Sequence, residues 1–132
     1  STAGEKWKTN SDYMINRRFI VPYLTSYDKY MTRTNCYVSL GYYREYTKID
    51  DIVKALCHIT GTNYDNNSNI STFVRETRMN WGQWYEWGFF RIRGYKKGTM
   101  HFEFVDEDVW YKFNQAVASV KGWQLPKQHK KS

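Results

Sequence analysis

Between Gly88 and Val105, apolar and charged side chains alternate on both sides of Lys96-Lys97-Gly98, and no other stretch constrains the fold as much. Successive side chains of a strand point to opposite faces, so Phe90 and Ile92 share one face of the first segment and Arg91 and Arg93 the other. In the second segment Met100, Phe102 and Phe104 share a face, opposite His101 and Glu103. Only an odd loop length sets Ile92 across from Phe102, because a one-residue slip mixes apolar with charged positions. A three-residue loop does so, with Gly98 in the left-handed position of a bulged turn. The predicted register pairs Arg93 with His101 and Arg91 with Glu103. One hairpin face belongs in a core, and the other carries Arg, Arg, His and Glu.

Filling that core falls to aromatic rings. The 12 Tyr, 7 Phe and 6 Trp outnumber the 4 Leu, 7 Ile and 8 Val. Aromatics suit strands and carry large burial per residue, whereas the Leu periodicity of a helical bundle is missing. Such a content argues against disorder despite a mean hydropathy of -0.80. A chain of 132 residues matches one domain. No apolar run approaches the roughly 18 residues of a membrane span, and no signal peptide opens the chain. Two cysteines cannot build a disulfide scaffold, so a reduced, cytoplasmic protein without a membrane partner is expected.

Other elements follow from local signals. Phe19-Ile-Val-Pro-Tyr-Leu24 reads as an edge strand or strand end, since Pro22 cannot donate to a ladder, with a short helix as the alternative. Cys36 to Tyr43 alternates weakly and is rich in β-branched and aromatic residues, which predicts a strand. Thr47 and Asp50 have capping-box spacing, and Ile52, Val53, Leu56 and Ile59 recur helically up to Gly61, which predicts about three turns of helix. Asn63 to Ser71 is a polar, Asn-rich loop, and Phe73 to Trp87 has no single periodicity. Asp106-Glu-Asp108 favours a helix start, after which Val109, Phe113, Val117 and Val120 form a stripe ending near Gly122. The whole reads as one α+β domain, an antiparallel sheet whose C-terminal hairpin packs against covering helices. Residues 1–11 are expected to be a disordered arm or a cloning remnant, 12–126 the domain, and 127–132 a basic tail.

Lys and Arg total 20 against 13 Asp and Glu, for +7 and a pI near 9.4. A positive field attracts polyanions, of which nucleic acid is the commonest inside cells. Lys127, Lys130 and Lys131 supply three of those charges, and without them the balance is an ordinary +4.

Three stretches carry a resemblance: Asn35-Cys-Tyr-Val-Ser-Leu-Gly-Tyr-Tyr-Arg44, Ile49-Asp-Asp-Ile-Val-Lys-Ala-Leu-Cys-His-Ile-Thr-Gly61 and Gly88-Phe-Phe-Arg-Ile-Arg-Gly-Tyr-Lys-Lys-Gly-Thr-Met-His-Phe-Glu-Phe104, the last running on into Asp108-Val-Trp-Tyr-Lys-Phe-Asn114. Over about Asn16 to Pro126 the chain resembles a bacterial and phage domain family of unknown function. The resemblance implies a C-terminal domain of proteins found on plasmids and phages, sometimes beside DNA-methyltransferase segments, and hence a role in DNA or RNA metabolism of mobile elements. The chain itself holds neither a Gly-rich cofactor loop nor an Asn/Asp-Pro-Pro-aromatic motif, and the family supplies no catalytic residues.

The chemistry-bearing residues are few. Cys36, Cys57, His58 and His101 lack zinc-ligand spacing, and the His101-Phe-Glu103 spacing of a zinc deaminase has no Pro-Cys-x-x-Cys partner, so neither metal nor cofactor is expected. Cys57, near the apolar face of its helix, reads as a buried, inert thiol. The leading reading is a noncatalytic nucleic-acid-binding module, contacting DNA or RNA through Arg91, Arg93, Lys96, Lys97, the tail lysines and a stacking Trp84. A metal-independent ribonuclease using His101 and Glu103 as acid and base with Arg93 beside the phosphate is the second. A module whose exposed Trp residues meet another domain of a larger parent protein is the third. The plainer alternative is a hairpin face kept soluble by cross-strand Arg–Glu neighbours.

Overall fold

The computed structural model describes residues 15–28, 30 and 36–118. The arm at 1–11, the end of the Val109 stripe beyond residue 118 and the tail at 127–132 lie outside them. Four strands form one antiparallel sheet: β1 (Arg18–Val21), β2 (Trp84–Trp87), β3 (Phe90–Gly94) and β4 (Met100–Phe104), in the order β1-β4-β3-β2. Three helices, α1 (Tyr43–Thr60), α2 (Ile70–Thr77) and α3 (Glu107–Ala118), complete the α+β domain.

The hairpin takes the register its alternation dictates. Ile92 faces Phe102, Arg93 faces His101 and Arg91 faces Glu103. The Tyr95 N–H donates to the Thr99 carbonyl at 2.9 Å, and the loop closes on Gly98 at φ 107°, a conformation only glycine adopts without strain. The Gly98 carbonyl then accepts from the amides of both Leu24 and Thr25, tying the turn to the segment after β1. β1 is an edge strand, with Phe19 opposite Phe102, and ends before Pro22. Phe19, Phe90, Ile92, Met100, Phe102 and Phe104 are buried, and Phe104 meets Phe113 of α3 at 5.9 Å between ring centres. Asp106 Oδ1 accepts from the amides of Asp108 and Val109, so the acidic start of α3 is a side-chain cap.

Three expectations need correction. Residues 36–43 form no strand: their amides and carbonyls go to separate places, Val38 N–H to Met79, Ser39 C=O to Ser26 and Gly41 N–H to Leu24, with one isolated bridge between Thr25 and Leu40. Val38 instead packs over Gly94, where a Cβ would stand 2.9 Å from Val38 Cγ1. Helix α1 starts at Tyr43, a turn before Thr47, whose hydroxyl donates to the Arg44 carbonyl rather than capping. The apolar stripe extends back to Tyr46, packed on the core, so packing rather than a cap sets the start. Its end at Gly61, φ 71°, is as expected. Finally, the polar stretch before Phe73 starts a helix: Asn69 Oδ1 caps α2 by accepting from the Thr72 amide, and Asp50 Oδ1 accepts from that of Ile70.

Candidate functional site

Because α1 and α3 cover one face of the sheet, the alternation that buries the Phe residues places their neighbours on the other. Across that outer face run Arg18 of β1, Glu103 and His101 of β4, Arg91 and Arg93 of β3, and Glu86 and Trp84 of β2. Trp84 organises the cations. The guanidinium carbons of Arg91, Arg93 and Arg18 stand 4.7, 5.5 and 5.6 Å from its ring centre. Cation–π attraction of this kind contributes about 0.5–1 kcal/mol at exposed sites and holds the cations together against mutual repulsion.

The acids on this face are unequally used. Glu103 Oε1 receives Arg91 Nη2 at 3.0 Å and Arg18 Nη2 at 3.5 Å. Arg93 has no acidic partner among the described residues; its guanidinium lies by the rings of Trp84 and Tyr95, and its Nε is shielded without an acceptor. Arg93 is therefore a cation held in place by aromatics and not neutralised by any acid among the described residues. Lys96 and Lys97 stand exposed at the β3–β4 turn, with Lys96 Nζ 5.0 Å from the Tyr27 ring centre.

The structure thus gathers Arg91, Arg93, His101, Glu103 and Trp84 on one face and sets Lys96 and Lys97 at its rim, whereas Lys127, Lys130 and Lys131 lie outside the described residues. Sequence reasoning missed Arg18 and Tyr95. The alternation of Arg18 with Phe19 and Val21 carries the signal for the first. Cys57 is buried, Cys36 is exposed, and no three potential metal ligands converge among the described residues. The large aromatics most exposed there are tyrosines, such as Tyr23 and Tyr43, rather than the tryptophans expected of an interaction module.

His101 is the titratable group with chemical interest. Its ring centre is 4.5 Å from that of Tyr95. Burial, then the charges of Arg93, Lys97 and Arg18, hold it below the ordinary histidine value of 6.5. The Glu103 carboxylate, next but one on the same strand, is committed to the guanidiniums of Arg18 and Arg91. The surroundings of His101 accordingly favour the neutral ring, and no hydrogen bond joins it to Glu103 among the described residues. Such a face can receive an anion more readily than it can relay protons between two free groups.

The sign for stability follows. With the folded value depressed, the unfolded chain takes up this proton first, so the contribution of His101 is full above pH 6.5 and declines as pH falls toward the folded value. An NMR titration of the His101 ring should show a midpoint below 6.5 in the free protein, moving upward when a polyphosphate occupies the face. A midpoint at or above 6.5 in the free protein would contradict the cationic environment described.

A family model described as "Domain of unknown function (DUF4942)" matches residues 2–123, close to the span of the sequence resemblance. No curated protein and no solved structure matches the chain.

Proposed function

We propose that the chain, which belongs to the DUF4942 family, is a nucleic-acid-binding module that receives the phosphate backbone on the outer face of its sheet. The observation that carries this reading is the cluster of Arg18, Arg91 and Arg93 around Trp84, with no acidic partner for Arg93 among the described residues. Guanidiniums donate to phosphate oxygens in a fixed fork, and an aromatic ring among them offers a surface for an unpaired base. The overall +7 adds attraction at longer range. The ion-paired state of Glu103 favours binding over acid–base cleavage. In a larger parent protein of a plasmid or phage, such a module would position a DNA-modification enzyme on its target, as the sequence resemblance implies.

Binding of fluorescently labelled single-stranded DNA, single-stranded RNA and duplex DNA, followed by anisotropy at several salt concentrations, tests this. Affinity should fall steeply with salt as counterions return to the phosphates. The double substitution Arg91→Ala with Lys97→Ala should flatten the log–log salt slope by about two and weaken all sequences similarly. If the intact protein binds none of the three at low salt, the proposal fails. If the double variant matches the wild type, the outer face is not the binding surface.

A further inference from the structure

A second concavity lies where the C-terminal half of α1, the segment from Thr62 to Ser68, α2 and the β2–β3 turn meet, with a cavity volume of about 590 Å³. That is within the range of small-molecule sites, roughly 300–1,000 Å³. Its walls are aromatic, from Tyr64, Phe73, Trp87 and Phe89. The Trp87 indole N–H is satisfied by the Ser68 carbonyl at 2.8 Å, so this ring brings no unmet donor to the wall. The Cys57 thiol also lines the cavity, 6% exposed and without a hydrogen bond among the described residues.

The charged residues that line it are all acidic, while Lys54 Nζ stands 5.4 Å from the ring centre of Tyr64 in its wall. Asp65, Glu76 and Glu86 line the cavity and no Lys, Arg or His does, in a protein whose balance is +7. Neither Glu76 nor Glu86 has an ion-pair partner among the described residues. For Glu86 this is informative, because its partner across the ladder is Arg91, whose guanidinium is drawn instead to Glu103. Two unneutralised carboxylates on an aromatic cavity complement a molecule with an apolar body and a positive charge, and they repel phosphate.

We propose that this pocket is a second binding site, at the β2 edge of the sheet where it shares Glu86 with the outer face, for a small organic cation whose apolar body packs on Trp87, Phe73 and Phe89 and whose ammonium group meets Glu76 and Glu86. Three indole probes of similar size separate the contributions: tryptamine carries a positive charge, tryptophol none and indole-3-propionate a negative one. Calorimetry should give tryptamine a dissociation constant at least about tenfold below that of tryptophol, with no detectable binding of indole-3-propionate. In ¹H–¹⁵N spectra the Trp87 indole N–H should shift on titration. Glu76→Gln combined with Glu86→Gln alters two exposed positions, leaves the fold intact by the same spectra, and should bring tryptamine to the level of tryptophol. Equal affinity for the three probes, a preference for the amine that survives the double substitution, or no tryptamine binding at about 5 mM would each overturn the proposal.

Discussion

Replacing Phe102 by alanine should lower the free energy of unfolding by about 3–5 kcal/mol, the loss typical of a fully buried aromatic ring. Phe102 is 0% exposed, stacked on Phe19 at 5.1 Å and met edge-on by Phe90 at 5.7 Å. Its strand is hydrogen-bonded on both sides, to β1 and β3, so the surrounding backbone cannot close over the space left behind. Urea unfolding followed by tryptophan fluorescence measures the effect. A loss below about 1 kcal/mol would mean that the ring is not the centre of the core. His101→Ala, one residue earlier on the outer face, should cost far less in the same assay.

Asn114→Ala should destabilise by about 2–4 kcal/mol although it removes a polar side chain. Asn114 is 0% exposed, and its amide completes the backbone of Ile15: Oδ1 accepts from the Ile15 N–H at 2.7 Å and Nδ2 donates to the Ile15 carbonyl at 3.1 Å. The Trp110 indole donates to the same carbonyl at 2.8 Å. Alanine leaves the buried Ile15 N–H without an acceptor and opens a small void. Denaturation combined with hydrogen exchange at Ile15 checks this, since the amide should lose protection beyond the global change in stability. Unchanged protection would show that Asn114 does not anchor the strand entry.

These two residues also mark how much the sequence reveals. Phe102 is legible because strict alternation across a glycine turn leaves one register that separates apolar from charged positions. The same rule places Arg91, Arg93, His101 and Glu103 on one face from the sequence alone. Asn114 is not legible as an anchor: a polar residue on a helical stripe looks like a solvent position until its partner, Ile15, arrives from the segment before β1. The segment 36–43 misleads for a related reason, since its composition suits a strand while its backbone partners are divided between residues 24–26, where they make one isolated bridge, and Met79. Helix α2 was hidden because its cap, Asn69, sits in an Asn-rich stretch that reads as loop, and because the second donor it satisfies depends on Asp50 from α1. Arg18 escaped because the strand holding it is four residues long.

The placement of β1 beside β4 has a consequence for how the chain reaches this state. Arg17 and Phe104 are joined by a hydrogen bond across 87 residues, and Ile15 and Asn114 across 99. Closing a loop of that length costs roughly 2–3 kcal/mol more chain entropy than closing the β3–β4 turn. The hairpin therefore has a large head start, and β1 can dock only after the intervening chain has collapsed enough to bring it near. With long-range pairing of this kind holding an edge strand, the domain should fold more slowly than a helical protein of its size. Until β1 arrives, β4 exposes an unpaired backbone edge rich in aromatic side chains, which makes the partly folded chain prone to self-association.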